Sequence, residues 1–199
     1  MSEKTILVAA SSNKNKLKEI EAILGSQFEI RPMAAMGVTE DIEETGTTFE
    51  ENALIKAEYV MRKTGCAAIA DDSGLEVDAL QGAPGVYSAR YCGRHGDDEA
   101  NNQLLLQNLR GMDHPWTARY VAAIALVRPG KAPILRRGTC EGEIIDHYEG
   151  TGGFGYDPLF RCELGKTFAE INMEEKNKIS HRKRGIEAVM AELLEEQNG

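Results

Sequence analysis

The chain has 199 residues, 42% of them apolar, enough to bury a substantial core as one folding unit. Its 23 Lys and Arg against 32 Asp and Glu leave a net charge of -9, which argues against broad electrostatic binding to nucleic acid or an anionic membrane, so an anionic ligand has to be met by a local cluster of donors. No stretch approaches the about 18 apolar residues of a membrane span, the run Ile6 to Ala10 is too short for a signal-peptide core, and the four cysteines show neither metal spacing nor a disulfide framework, which points to free thiols in a cytoplasmic protein.

In chain order, Thr5 to Ala10 reads as a first strand, and Leu17, Ile20, Ile23 and Leu24 follow with helical spacing. The junction between them, Ser11, Ser12, Asn13, Lys14, Asn15 and Lys16, offers hydroxyls, an Asn cap, helix N-terminal amides and two lysines, which suits a phosphate. It lacks the glycines and the Gly-Lys-Ser/Thr ending of a Walker A loop, and ordinary capping explains Asn13 and the serines equally well. Phe28 to Met33 is a second strand. The acidic segment Glu40 to Glu44 then leads to Thr48 and Glu51, which have capping-box spacing, and to a helix over Phe49 to Lys63. On that helix Asn52 and Lys56 lie one turn apart and can share an anionic oxygen if their face borders a site; a solvated lysine on an amphipathic helix is the alternative.

Cys66 to Ala70 predicts a buried strand that stops at Asp71 and Asp72, followed by a Ser73-Gly74 turn and a half-buried strand over Leu75 to Leu80. Adjacent strand residues face opposite ways, so the two acids have different jobs, one bracing and one reaching into a site. Two carboxylates at the end of an apolar strand need backbone donors, a cation or a metal to compensate them, and a hard divalent ion is the natural candidate. A solvated acidic turn is the competing reading.

Gly82 to Gly85 forces a turn, Asp97 or Asp98 caps a helix through Leu109, and Ala118 to Val127 and Ile134 to Ile145 are two long strands joined through Arg128 to Lys131. Trp116 reads as a packing aromatic. In Gly150 to Pro158, four glycines in six residues allow close backbone approach, and Phe154 and Tyr156 on such a loop suit stacking on a flat heterocycle; a structural turn with a core Phe is the alternative. Thr167 to Ile171 and Glu174 to Ile179 predict short helical turns, and Ser180 caps a last helix. His181 and Arg182 fall in its first turn, against the helix dipole, and with Lys176, Lys183 and Arg184 they make a dense basic cluster that suits an external anion or carbonyl; a solvated basic patch is the alternative.

An acidic turn, a phosphate-suited junction, a glycine-bent aromatic loop and a basic cluster together fit a purine nucleotide with magnesium. The same stretches carry a resemblance over nearly the whole chain: Ser11-x-Asn13-x-x-Lys16, Glu43 to Gly46 with Asn52 to Ala57, Ala70 to Leu75, Gly82 to Tyr91, Gly152 to Pro158, and Glu175 to Arg182. In that order they resemble the inosine triphosphate pyrophosphatases, the family of non-canonical purine nucleoside triphosphate pyrophosphatases. Many members have Thr-Gly-Asn where this chain has Ser11-Ser12-Asn13, and both hydroxyl types can contact a phosphate.

The resemblance implies an α/β fold, an elongated two-lobed single domain (residues 1–199) around a long mixed sheet with flanking helices, and an active-site cleft between the lobes. It implies hydrolysis of ITP, dITP and XTP to the monophosphate and pyrophosphate, and a homodimer. By residue, it implies that Glu44 and Asp72 hold Mg2+ and that Asp72 is the base that readies water. Ser11, Asn13, Lys16, Lys56 and Ser73 would hold the triphosphate, with Ser12, Lys14 and Asn15 in the same junction. Phe154, Gly155, Tyr156, Asp157, Lys176, His181 and Arg182 would surround the base, with Arg182 donating to its 6-oxygen. A nucleotide sensor that binds without turnover is the rival class, and two carboxylates placed to hold a metal beside a water favour catalysis over it.

Overall fold

The computed structural model describes residues 4–198, which form an α/β fold with a six-stranded mixed sheet in the order β2-β1-β3-β4-β5-β6 and helices flanking it. The chain divides into two compact units, one of residues Met1–Asp72, Ala122–Gly138 and Arg182–Gly199, the other of Ser73–Val121 and Thr139–His181. No helix among the described residues is long and apolar enough to cross a membrane.

In the first unit β1 (Ile6–Ala9) is parallel to β2 (Glu29–Pro32) and to β3 (Ala68–Val77), with Ile6 opposite Glu29 and Val8 opposite Ala68. Parallel neighbours need a crossover, and the helices α1 (Lys14–Leu24) and α2 (Phe49–Thr64) lie between those strands in sequence. Asn13 caps α1 by accepting from the amides of Asn15 and Lys16, and Thr48 with Glu51 closes a full capping box on α2. Gly65, in the left-handed conformation at φ 70°, ends α2. Ile20 and Leu24 of α1, Ile69 of β3, and Ile186, Val189 and Leu193 of the last helix, α5 (His181–Asn198), build this unit's core.

The second unit has its own core of Leu75, Val77, Leu105, Trp116, Tyr120, Phe160 and Phe168 among others, so Trp116 is the packing residue the sequence suggests. It contains α3 (Asp98–Leu109), capped by Asp97, β6 (Phe160–Cys162), antiparallel to β5, and α4 (Met173–Ile179). The unit boundary falls within β4 (Trp116–Val127) and β5 (Ile134–Ile144) as it does within β3.

One local expectation is corrected. β3 does not stop at the acids: it runs unbroken through Asp71, Asp72, Ser73 and Gly74 to Val77. Ser-Gly after two acids imitates a turn in the sequence, but lysines and an arginine from elsewhere in the chain compensate the carboxylates and leave the ladder intact. Thr167 to Ile171 makes the short turn expected, the Glu170 amide donating to the Thr167 carbonyl at 3.0 Å, and Thr167 also forms an isolated bridge to Arg161. After the turn expected at Gly82 to Gly85, the chain winds into a 3-10 helix over Gly85–Arg90.

Candidate active site

In the first unit the acids of β3 face different partners, as their alternation dictates. Asp71 is buried and is held by the Lys16 ammonium at 2.7 Å and by Arg182, whose Nε and Nη2 stand 3.3 and 3.4 Å from its two oxygens. Burial alone would raise its pKa, but Arg182 and Lys16 outweigh that and hold the carboxyl well below the usual range. Arg182 also donates through Nη1 to Glu19, which is itself 0% exposed.

Asp72, one residue on, meets Lys56 instead. The Lys56 ammonium sits 2.6 Å from Glu44 Oε1, 3.4 Å from Asp72 Oδ1 and 2.9 Å from the Asp71 carbonyl. Desolvation would pull the Lys56 pKa down, but Asp72 and Glu44 together raise it, so the lysine is firmly charged. Asp72 is pushed up, chiefly by burial and further by Glu44 and Asp71, against the downward pull of Lys56 and Lys16. The loop bearing Glu44 is pinned by Asn52, whose Oδ1 accepts from the Gly46 amide at 2.8 Å. A Cβ at Gly46 would come within 2.6 Å of the Glu51 Cβ and 2.7 Å of that Oδ1, so only glycine fits. The buried Asn52 Nδ2, one helical turn before Lys56, has no hydrogen-bond partner. Asn52 therefore holds the loop with its oxygen, rather than joining Lys56 through its whole side chain.

These residues fit a hard divalent ion. Two carboxylates and a carbonyl, all oxygen donors, already converge on one cation, the Lys56 ammonium, and Mg2+ is commonly bound by one or two carboxylates with the remaining positions left to phosphates and water. Among the described residues no group of three or more His, Cys, Asp or Glu has metal-binding geometry.

In the second unit the glycine-bent loop is held at nearly every residue. Gly155 donates to Asp98 at 2.8 Å and accepts from Asn102 Nδ2 at 3.0 Å, so two residues one turn apart on α3 clamp its backbone. Asp157 accepts from the Phe154 amide at 3.0 Å and the Lys176 ammonium at 2.9 Å on one oxygen, and from the Tyr120 hydroxyl at 3.0 Å on the other. A Cβ on Gly153 would stand 2.2 Å from that same carboxylate at φ 71°, which is why position 153 is glycine. Lys176 lies 4.7 Å from the centre of the half-buried Phe154 ring, in cation-π contact. The buried His181 ring stacks on Tyr120 at 4.9 Å.

The structure thus groups Lys16, Glu44, Lys56, Asp72 and Arg182 in one unit, and Phe154, Asp157, Lys176 and His181 in the other. Ser11 and Asn13 are occupied as caps: the Ser11 hydroxyl accepts from the Asn13 amide, and Asn13 accepts from α1. Ser12 and Lys14 are exposed, and Asn15 and Ser73 half-buried. One assignment moves. Tyr156 is not presented for stacking: it is 4% exposed, belongs to the core, and donates its hydroxyl to the Ser88 carbonyl at 2.7 Å. Arg182, 1% exposed, lies buried between Asp71 and Glu19 and donates to both. Glu19, Asn102 and Tyr120 went unnoticed in the sequence, and Asp98 was read only as a candidate helix cap. Only Glu19 carried a signal, since a carboxylate four residues before Ile23 falls on the apolar face of α1 and calls for a buried cation.

Comparison with known proteins gives consistent matches across the chain. The sequence model of the Ham1 family matches residues 7–192. A dITP/XTP pyrophosphatase of Halalkalibacterium halodurans is 49% identical over 180 residues, covering 88% of this chain and 92% of that protein. One of Geobacter sulfurreducens is 50% identical over 185 residues, covering 92% and 93%. Among solved structures, the Staphylococcus aureus Ham1 protein superposes with a TM-score of 0.86 at 40% identity, covering 96% of this chain and all of that one (100%).

Proposed function

Because this chain belongs to the Ham1 family, we propose that it hydrolyses the non-canonical purine nucleoside triphosphates ITP, dITP and XTP to the monophosphate and pyrophosphate. The observation that carries the reading is the convergence of Glu44, Asp72 and the Asp71 carbonyl on a single cation, beside a buried carboxylate whose pKa is raised. Glu44 and Asp72 would hold Mg2+, which supplies neutralisation of phosphate charge. Burial makes Asp72 a stronger base than an exposed carboxylate, suited to taking a proton from the water that attacks the α-phosphorus. Lys16 and Lys56, with the Asn52 Nδ2 as a donor awaiting an acceptor, would hold phosphate oxygens, and the side chains of Ser11 to Asn15 and Ser73 would add to them.

Phe154 would stack on the purine, and Lys176 and His181 would meet its 6-oxygen, a carbonyl in inosine and xanthosine and an amino group in adenosine. A donor facing that amino group loses its hydrogen bond, so ATP should be a very poor substrate. The test is turnover of inosine, xanthosine, guanosine and adenosine triphosphates, with product analysis for pyrophosphate against phosphate. Release of single phosphates, or equal rates on ITP and ATP, would overturn the reading, and binding without turnover would make the chain a sensor.

Lys56→Ala is expected to lower kcat/KM for ITP by about 1.5 to 3 kcal/mol, the worth of a charge-assisted hydrogen bond. Unchanged kinetics with a large fall in Tm would assign Lys56 to the fold alone. The reading extends to residues 1–199 acting as a single catalytic domain, and to a homodimer, which the family resemblance supports and sedimentation would test. The cysteines, all free thiols, suit the reducing cytoplasm.

A further inference from the structure

We infer that Tyr120 is a positioning residue for base recognition, its hydroxyl fixing the Asp157 carboxylate and its ring seating His181. The inference rests on the proposed role of Phe154, Asp157, Lys176 and His181 toward the purine. Tyr120 sits on β4, a strand buried nearly throughout, and is a phenol between the alanines Ala118 and Ala122 on its own face of the strand. Its hydroxyl donates to Asp157 Oδ1 at 3.0 Å, while Oδ2 takes the Lys176 ammonium and the Phe154 amide. Its ring lies 4.9 Å from His181 at an interplanar angle of 13°, and 5.4 Å from Phe168 at 3°. One side chain therefore touches two of the four base-side groups directly and reaches the other two through a carboxylate.

The hydroxyl and the ring do separable work. A carboxylate can only accept, and with donors on both oxygens Asp157 is fixed in rotation. Without the phenol, Oδ1 would be buried with an unmet acceptor, and the group would turn to recover a partner, carrying Lys176 and the Phe154 amide with it. The phenol is always available as the donor, because burial and the neighbouring Asp157 charge push its pKa well above the ordinary value. The ring, by contrast, packs by area and stacking that a phenylalanine reproduces.

Tyr120→Phe is the test, since it deletes one oxygen and keeps the ring. For ITP the KM is expected to rise about tenfold with a smaller change in kcat, and the preference for ITP over ATP to narrow by a similar factor. A hydroxyl serving only the core would lower Tm and leave KM and preference within twofold, which would overturn the proposal. Paired with Asp157→Asn, the double variant is expected to bind ITP no more weakly than Asp157→Asn alone, because the phenol acts through that carboxylate. Multiplying effects would overturn it. A wild-type protein with no preference for ITP would overturn the functional reading and this inference together, whereas a wild type that prefers ITP beside an unaltered Tyr120→Phe would overturn this inference alone.

Discussion

Asp72→Asn protein is expected to fold like the wild type and to hydrolyse ITP about 10² to 10⁴ times more slowly, the usual worth of a positioned general base. The substitution keeps the shape of the side chain and removes its charge. Its contribution to the fold is small because Asp72 shares Lys56 with Glu44, and the closer partner, at 2.6 Å against 3.4 Å, is Glu44. Its contribution to turnover should be large. The amide cannot take a proton, and the oxygen set facing a divalent ion loses half of its carboxylate charge. Glu44→Gln leaves the base in place and should act in the same direction less severely. Circular dichroism and Tm establish that the variants are folded, and single-turnover assays at saturating ITP separate the chemical step from binding. A folded Asp72→Asn enzyme with near-normal kcat would remove this residue from the mechanism and leave the base to be found among other groups.

What the sequence made legible followed from local rules. Asn13 and Thr48 with Glu51 announced their helices because a cap is a contact within three or four residues. The opposite facing of Asp71 and Asp72 followed from strand alternation, and the structure gives each its own lysine. Harder to read was anything decided across the chain. Arg182 lies 163 residues from Glu19 and 111 from Asp71, so its first-turn position in α5 suggested a cation looking outward for an anion when two anions of this chain already hold it. The continuity of β3 was hidden by the same cause, since a strand tolerates adjacent acids only when distant cations neutralise them. Nothing local in the sequence separates the roles of Tyr120 and Tyr156. Their hydroxyl partners, Asp157 and the Ser88 carbonyl, decide that one braces the base-side groups and the other the core.

Arg182→Ala is expected to show its main effect in stability, a loss of about 3 to 5 kcal/mol, because it strips the cation from two buried carboxylates at once. The Arg182 side chain is 1% exposed, Asp71 1% and Glu19 0%, so water cannot stand in for the guanidinium. Against a total stability of about 5 to 15 kcal/mol for a domain, this should appear as a sharply lower Tm and poor soluble yield. Lys16, 2.7 Å from Asp71, relieves that acid in part. Two controls separate a brace from a base-contacting donor. Glu19→Gln in the Arg182→Ala background should recover part of the lost stability, because it removes one of the stranded charges; additive losses would mean the two residues are not coupled. If Arg182→Ala instead kept the wild-type Tm and lost activity on ITP far more than on ATP, the guanidinium would be a donor to the 6-oxygen after all, and its pairing with Asp71 and Glu19 would be a resting arrangement that substrate displaces.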